Sequence, residues 1–296
     1  MTPSRALVTG GGGQLASDLL EQLTAAGAEV RAYSRAELDV TDDAAVERAF
    51  GEVAPEVVFN CAAFHHLDTC EAEEDRSFEV NARAVKRLAQ RASESGARLV
   101  HLSTNYVFDG RAAEPYREDD VPNPRSIYAI SKLAGEYCAL SYAPDALVVR
   151  GAGLYGLHGS ASKGGNFVTR MLGRAREPDA QLKMVADQRL SPTFTADLAT
   201  ALIEAVGAGA AGVHHLTASG ECSWFEFTEA ILEIAGLDVP VEAVATTVPP
   251  GGVERPLNGV LARPRADAAG LAPLRDWREA LTDYMQRAGL AAAGVA

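Results

Sequence analysis

The segment SIYAISK (126–132) places Tyr128 and Lys132 four residues apart, and residues at this spacing share one face of a helix. A free tyrosine has a pKa near ~10 and exchanges protons poorly at neutral pH. An ammonium group held close to it stabilises the phenolate and lowers that pKa, so the pair can act as a general acid. The alternative is a tyrosine packed on a sheet beside a solvated lysine.

A pair of hydroxyl side chains lies at the end of the strand predicted before this segment. The run RLVHLST (98–104) predicts a buried strand that ends at Ser103 and Thr104. Ligands of open parallel sheets bind outside the carboxyl ends of the strands, where a hydroxyl can hydrogen-bond a substrate carbonyl. Threonine is also common in strands for its β-propensity alone. The position of Thr104 nevertheless predicts it as the third member of the site.

Strands and helices alternate through the first half of the chain, which predicts parallel strands joined by right-handed crossovers. Apolar runs predict strands at 6–10, 29–34, 57–63, 98–104 and 146–153. Helical patterns predict helices at 14–26, from a cap at Thr41 to Val53, at 77–95 and at 126–142. The predicted fold class is therefore α/β, a doubly wound parallel sheet of the Rossmann type.

The alternation becomes less regular after Gly153, where a loop is predicted over 154–166. The pattern then predicts helices near 166–176 and 195–206, a strand at 212–219, a helix from the Ser223 capping box to Gly236, a last helix capped by Asp276, and a frayed end at 291–296. We predict a Rossmann domain at 1–153, completed by a later segment near 185–210. Residues 154–296 would form mainly a smaller substrate-binding lobe.

The sequence TGGGGQLA follows the first predicted strand and opens the first helix. Gly10 and Gly13 permit a tight turn and close approach to a pyrophosphate, and Ala16 stands where helix and strand must pack closely. Four successive glycines could also form a plain flexible turn. The order strand, loop, helix favours a dinucleotide cofactor.

The end of the second predicted strand bears on which dinucleotide is bound. It reads Tyr33-Ser34-Arg35, without the carboxylate that accepts hydrogen bonds from the ribose hydroxyls of NAD. A hydroxyl and a guanidinium suit a 2′-phosphate, so NADPH is favoured, and NADH stays as the alternative. Arg35 could equally be a solvated surface residue. Asp39 could accept from the adenine amino group or serve only at the helix entry.

Composition excludes several classes of partner. The net charge of −13 argues against nucleic acid and anionic membranes. No run of 18 or more apolar residues predicts a membrane span, and the first residues show no signal-peptide pattern. The four cysteines lack zinc-site spacing and are expected to be free thiols in a reducing cytoplasm.

The motifs GGGGQLA, LDVTD, LSTNYVFDG, PNPRSIYAISKLAGE and DQRLSPTFTADLA occur in this order along the chain. Together they resemble the dTDP-4-dehydrorhamnose reductase family of extended short-chain dehydrogenase/reductases. The resemblance implies that Tyr128 donates the proton, that Lys132 is its partner and a cofactor ligand, and that Thr104 contacts the carbonyl. The expected cofactor contacts, besides Tyr128 and Lys132, are Gly10, Gly13, Gln14, Leu15, Ser34, Arg35, Asp39, Val40, Ala62, Ala63, Phe64 and Ser103.

Three departures from the family pattern lie where a sugar would bind. Asn105 replaces an aspartate, Gly153 replaces a tryptophan, and His65 and His66 stand in an altered AAFHHLD segment. We therefore expect a somewhat different 4-keto sugar, although the histidines could be structural. The predicted substrate contacts are Thr104, Asn105, His65, Gly153, Asn166, Phe167 and Arg255.

Some relatives hold a magnesium ion between two subunits through glutamates. Asp18 matches one such position, but Ala196 stands at another, so no metal is predicted. A homodimer is left open by the resemblance.

The implied function is NADPH-dependent reduction of the C4 ketone of a dTDP-activated 4-keto-6-deoxy sugar. One alternative is an epimerase or dehydratase of the same fold. Dehydratases carry Asp-Glu after the threonine, whereas this chain has Asn105-Tyr106. The other is a non-catalytic regulatory subunit that binds NADP, since relatives of the family include one.

Overall fold

A computed structural model of the chain describes residues 2–158, 165–249 and 251–292. Six residues of the predicted loop at 154–166 and four of the predicted frayed end lie outside the described residues. The strands are β1 Arg5–Thr9, β2 Glu29–Tyr33, β3 Val57–Asn60, β4 Arg98–Thr104, β5 Leu147–Gly151, β6 Leu182–Val185, β7 Arg189–Leu190, β8 Gly212–His215, β9 Cys222–Ser223 and β10 Val241–Val244.

The α-helices are α1 Gln14–Ala25, α2 Asp43–Val53, α3 Leu67–Ala72, α4 Glu74–Phe78, α5 Ala84–Ser95, α6 Ile127–Tyr142, α7 Phe167–Ala175, α8 Thr195–Gly207, α9 Trp224–Ala235, α10 Pro264–Ala268 and α11 Trp277–Arg287. A π-helical turn, Glu79–Arg83, joins α4 to α5, and a 3₁₀ turn, Asn105–Val107, follows β4. Within the described part of the chain, no helix is long and apolar enough to cross a membrane.

Six parallel strands form the central sheet in the order β2-β1-β3-β4-β5-β8. Alternate side chains of β1 enter two cores: Ala6 and Val8 pack with α1 and α8, while Leu7 packs with α2 and α5. Both faces of the sheet are covered by helices, which explains why its strands read as nearly continuous apolar runs. The predicted doubly wound α/β fold is confirmed.

The strand order of the sheet reverses, and the carboxyl ends of its strands form one edge, where the candidate site lies. In register, Thr9 lies beside Asn60 and Thr104 beside Gly151. The sixth strand and the helix before it, α8, come from residues after 194, so the chain returns to the sheet after leaving it. The proposed division into two domains stays a prediction.

The remaining elements form a separate apolar cluster beside this edge. Helices α7, α9 and α11 pack around four aromatic rings, Tyr155, Phe194, Phe227 and Tyr284. Strands β6 and β10 pair in parallel, and β7 and β9 pair antiparallel. The Ser223 capping box is confirmed, with Glu226 as its reciprocal partner, and Gly236 ends α9 in the left-handed conformation.

Two local predictions are wrong. Asp42, not Thr41, caps α2: its carboxylate accepts from the amides of Ala44 and Ala45, while the Thr41 hydroxyl donates to Asp39. The helix predicted over 77–95 starts earlier and is interrupted by the π-helical turn. The apolar period continues through that turn, so the sequence pattern alone does not reveal it.

Candidate functional site

The glycine loop between β1 and α1 packs against the ends of two strands. Gly10 has φ 73°, and a Cβ there would lie 2.9 Å from the backbone nitrogen of Ala62. A Cβ on Gly11 would lie 2.7 Å from the backbone carbon of Tyr33, whose carbonyl accepts from the Gly11 amide at 2.6 Å. The close approach therefore requires glycine at both positions, as expected for a loop that must also admit a ligand.

The N-terminus of α1 suits an anionic group. Its first turn carries no acidic residue, and its positive dipole end lies at Gly13. Gln14 has a buried side-chain oxygen, Oε1, for which the described residues supply no hydrogen-bond partner. Leu15 packs in the core below, so only its backbone can face a ligand. These features fit a dinucleotide pyrophosphate.

Helix α6 carries Tyr128 and Lys132 in its first turns, directly after the cap at Ser126, whose hydroxyl accepts from the Ala129 amide at 3.2 Å. The Tyr128 ring meets that of Tyr106 edge-on, with centroids 6.0 Å apart. The Thr104 hydroxyl accepts from the Tyr106 amide at 3.2 Å and lies close enough to Tyr128 to lower the pKa of that phenol. The structure thus brings together Thr104, Tyr128 and Lys132 at the carboxyl edge of the sheet, as the sequence predicts.

The predicted lowering of the Tyr128 pKa is not what the structure shows. Burial raises the pKa of Tyr128 well above its usual value, and the Thr104 side chain opposes this only in part. Lys132 instead directs its amine to the carbonyl of Leu102, with Nζ and O 2.5 Å apart. Tyr128 therefore stays protonated, which is the form that a proton donor needs.

Lys132 is itself buried, and burial lowers its pKa to about 8. Glu136, one turn later on α6, opposes this shift. The Glu136 carboxylate forms a buried bidentate ion pair with Arg150, at 2.7 and 2.9 Å, and accepts from the Ser103 hydroxyl at 2.5 Å. Ser103 is thus tied to a carboxylate beside the site, and its predicted role as a cofactor contact stays a prediction.

A cleft of about 530 Å³ lies beyond the end of β2 and is lined by Arg35, Asp39, Thr41, Asp75, Arg76, Glu79, Val80 and Arg83. Arg35 is exposed there, and hydrogen bonds from Thr41 lower the pKa of Asp39. Asp39 therefore has hydrogen-bond partners at the helix entry, which fits the alternative that the sequence left open. Its predicted contact with a cofactor, like that of the core residue Val40, is untested by these contacts.

A carboxylate that the sequence argument missed also lies at this end. Glu37 accepts from the Ser34 amide at 2.9 Å, and hydrogen bonding from the Ser34 side chain, together with this amide, lowers the pKa of Glu37. The turn after β2 brings Glu37 back to Ser34, three residues earlier in the chain. A search for acidic residues at the strand end alone therefore does not find Glu37.

Asn81 is a second residue that the sequence argument missed. It lies in the π-helical turn, accepts from the Phe64 amide at 2.9 Å and donates to the Phe64 carbonyl at 2.8 Å. It thereby fixes the segment that holds Ala62, Ala63 and Phe64, the predicted cofactor contacts after β3. A lone polar residue on the buried face of a predicted helix is the signal that could have found it.

Three potential metal ligands lie near α1. Asp18, Glu21 and His158 place ligand atoms within 4.8 Å of one another. Burial raises the pKa of Asp18, which favours its uncharged form. The expectation of no metal stays a prediction, which activity after dialysis against a chelator would test.

Comparison with known proteins adds to this geometry. The family model described as the RmlD substrate binding domain matches residues 4–289. The chain belongs to the RmlD family. It is 41% identical to dTDP-4-dehydrorhamnose reductase of Streptomyces griseus, over 94% of this chain and 92% of that protein. It is 40% identical to the spore coat polysaccharide biosynthesis protein SpsK of Bacillus subtilis, over 96% and 97% of the two chains.

Solved structures of RmlD relatives share the whole fold. A dTDP-4-dehydrorhamnose reductase of Bacillus anthracis in complex with NADP gives a TM-score of 0.89 at 31% identity, over 97% of this chain and 100% of that one. A UDP-glucose 4-epimerase of Thermus thermophilus in complex with NAD gives 0.81 at 23% identity, over 99% and 100%. The latter likeness shows the fold alone.

Two departures from the RmlD pattern have structural partners here. The Asn105 amide donates to the carbonyl of Gly259 at 3.0 Å, a bond that an ionised aspartate could not make. Gly153 has φ 56°, and a Cβ there would lie 2.7 Å from Leu190. Leu190 therefore occupies the space beside Gly153, and no aromatic ring fits at 153 without moving it.

The other predicted substrate residues separate into two groups. Arg255 lies close enough to Tyr106 for its charge to act on that phenol's pKa, and His65 lies in the segment fixed by Asn81. Asn166 instead caps α7 and donates to Gly156 and the Tyr284 hydroxyl. The Phe167 ring packs against that of Trp224 in a tilted arrangement, with centroids 4.4 Å apart. These contacts assign Asn166 and Phe167 a structural role, and their contact with substrate stays a prediction.

Proposed function

We propose that this protein reduces the C4 ketone of a dTDP-activated 4-keto-6-deoxy sugar with NADPH. The observation that carries the proposal is the meeting of Thr104, Tyr128 and Lys132 beside a glycine loop, in a chain of the RmlD family. Relatives named dTDP-4-dehydrorhamnose reductase and dTDP-4-keto-6-deoxy-D-glucose reductase support it.

When bound, NADPH would supply the hydride for the C4 carbon of the sugar and would be oxidised to NADP⁺. The loop at Gly10 and Gly13 would hold its pyrophosphate, because a helix N-terminus and close backbone suit that group. Arg35, beside Ser34, would bind the 2′-phosphate, and NADH remains a weaker alternative. Gln14 offers its unpartnered oxygen on the same side.

The protein's own part of the reaction is the handling of one proton. As hydride adds to C4, the C=O electron pair moves to oxygen, and Tyr128 gives its hydroxyl proton to that oxygen. Thr104 orients the carbonyl, since its hydroxyl lies within bonding reach of Tyr128. The charged form of Lys132 stabilises the phenolate that results. Tyr128 then regains a proton from solvent.

The substrate would lie under the C-terminal lobe, mainly formed by residues 154–296. A cleft of about 500 Å³ there is lined by Arg111 and Arg189, among other residues. The Arg189 carbonyl accepts from the Gly259 amide, and the Gly259 carbonyl accepts from Asn105, so hydrogen bonds connect one wall of this cleft to the residue after Thr104. Guanidinium groups suit the diphosphate of a nucleotide sugar.

An epimerase and a regulatory subunit are the competing functions. An NADP-binding regulatory subunit does not need Thr104 and Tyr128 to lie close together, and the relatives named after reductases weigh against both. The test is purified protein with NADPH and a panel of dTDP-4-keto sugars, followed by loss of reduced-cofactor absorbance and product analysis. Tight NADPH binding without turnover of any sugar would favour the regulatory subunit, and C3 or C5 inversion without NADPH consumption would favour the epimerase.

A cytoplasmic location and a homodimer complete the proposal. Three partly exposed apolar side chains on α6, Ile130, Tyr137 and Tyr142, supply a surface that a second copy could cover. Light scattering of the purified protein at several concentrations measures the oligomeric state, and a monomer at all of them contradicts this part.

A further inference from the structure

A chain of buried polar side chains runs from the glycine loop to the active-site lysine. Thr9, Asn60, His101 and Lys132 are each at most 2% exposed. The Thr9 hydroxyl donates to Asn60 Oδ1 at 2.7 Å, and Asn60 Nδ2 lies 3.0 Å from His101 Nδ1. His101 Nε2 lies 3.5 Å from Lys132 Nζ. The chain spans β1, β3, β4 and α6.

The direction of these bonds fixes the His101 tautomer. Because Asn60 Oδ1 accepts from Thr9, its Nδ2 must donate to His101 Nδ1. Burial lowers the pKa of His101 well below its usual value, so the ring is neutral and its one proton is on Nε2. That N–H faces the amine of Lys132.

The helix sequence leaves room for this arrangement. A Cβ at Gly135 would lie 3.2 Å from His101 Nε2 and 2.2 Å from the carbonyl oxygen of Asn81. Any larger residue would displace the ring or the π-helical turn. The site for the His101 ring is therefore built from two helices and a strand.

We propose that His101, oriented by Asn60 and Thr9, is a positioning residue for Lys132 that donates its Nε2 proton to the lysine amine and favours the uncharged amine before cofactor binds. The second half of this statement rests on the proposed function. An N–H donor facing Nζ stabilises its lone pair and repels an ammonium. The Leu102 carbonyl accepts one of the remaining amine protons.

The groups around Lys132 determine the balance between the charged and the uncharged form of its amine. Burial acts toward the uncharged amine. Glu136 on the same helix and Cys61 after β3 act toward the charged amine, and burial raises the pKa of the Cys61 thiol to about 12. Tyr128 keeps its proton. His101 is a donor among these neighbours that a single substitution can remove without altering a charge.

The test is a pH titration of Lys132 followed by NMR with [ε-¹³C]lysine. The chain has four lysines, so Lys132→Met identifies the signal by its loss. The wild-type midpoint is expected at about 8. His101→Leu should raise it by about one pH unit, the size of one hydrogen bond, and His101→Gln should restore it because the amide again donates.

Asn60→Leu tests the tautomer without touching His101. Loss of the Asn60 amide lets the ring proton move to Nδ1, which leaves Nε2 as an acceptor for the ammonium. The titration midpoint of Lys132 should therefore also rise. His214→Gln is the control, a buried histidine on β8 whose ring bonds Ala211; it should not move the midpoint. Circular dichroism verifies folding, and if His101→Leu does not fold, Asn60→Leu and His101→Gln carry the test.

An unchanged or lower midpoint in Asn60→Leu or His101→Leu overturns the inference. A second experiment measures how NADPH affinity depends on pH. The pH at which the affinity falls on the alkaline side should move with the Lys132 midpoint measured by NMR. Midpoints that move as expected in a protein that binds no NADPH would refute the proposed function and leave the assignment of His101 standing.

Discussion

At Tyr128 two opposing influences act on one proton: burial raises the phenol's pKa, and the Thr104 side chain lowers it. Burial dominates, so the resting side chain is a protonated donor. The same burial disfavours the phenolate formed in the reaction, which is why a cation is needed once the proton has left. Lys132 therefore serves after proton transfer more than before it.

Tyr128→Phe removes the proton and keeps the ring that packs on Tyr106. We expect kcat to fall roughly 100-fold or more, the scale of general-acid catalysis, with NADPH affinity changed less than about twofold. Steady-state turnover and fluorescence titration measure the two quantities. Tyr137→Phe, on the exposed face of the same helix, is the matched control. Normal turnover by Tyr128→Phe would remove this residue from the mechanism.

In the proposed function, Arg35 is the residue on which the choice of cofactor depends. Arg35→Ala should raise the KM for NADPH about tenfold and leave the KM for NADH nearly unchanged, because only NADPH carries the 2′-phosphate. Kinetics with both cofactors measure the ratio. Arg48→Ala, an exposed arginine on α2, controls for the general loss of a positive charge. Equal effects of Arg35→Ala on both cofactors would contradict the assignment.

At the scale of elements, the glycine loop joins three strand ends to one helix. Gly10 and Gly27 both have left-handed backbone, with φ 73° and 84°, but they differ in space. A Cβ at Gly10 meets backbone of Cys61 and Ala62 within 3.0 Å, whereas Gly27 has nothing within 4 Å. Substitutions at the two positions therefore distinguish the effect of backbone strain from the effect of close packing.

Gly27→Ala should lower the free energy of unfolding by about 1 kcal/mol and leave NADPH affinity unchanged. Gly10→Ala should carry the same strain and also displace the loop, with NADPH affinity reduced at least about tenfold. Urea denaturation and cofactor titration on both variants give the comparison. Should Gly10→Ala bind NADPH like Gly27→Ala, the loop would not hold the pyrophosphate.

The elements were predictable where one local signal decides them. Continuous apolar runs gave the five early strands, and Ser126, Ser223 and Gly236 marked helix ends by their own hydrogen bonds or backbone. The placement of Thr104, Tyr128 and Lys132 at one edge of the sheet followed from strand-end and helix-face positions, and their catalytic roles stay a prediction. What the sequence could not give depends on residues far apart in the chain: Asn81 bonded to Phe64, and Leu190 beside Gly153.

At the scale of the whole molecule, buried polar side chains join the strands at the working edge of the sheet. Thr9, Asn60 and His101 connect β1, β3 and β4, and Arg150 continues the series on β5 toward His215 on β8, with Arg150 Nη1 and His215 Nε2 3.4 Å apart. Each group is desolvated, so a change of charge at any one of them disturbs the fold.

His215 makes this dependence measurable in acid. Its ring bonds the Ala262 carbonyl at 2.7 Å, and burial beside Arg150 lowers its pKa to about 3. The unfolded chain takes up the proton near pH ~6.5 and the folded protein does not, so stability is lost as the pH falls from about 6.5 toward 3. The upper bound of this loss is on the order of 5 kcal/mol, and His101 acts in the same direction. His215→Gln should flatten the slope of unfolding free energy between about pH 7 and pH 5, measured by urea denaturation. Exposed His66→Gln should leave the slope as in the wild type, and an equal slope in His215→Gln would show that His215 is not the group that couples protons to folding.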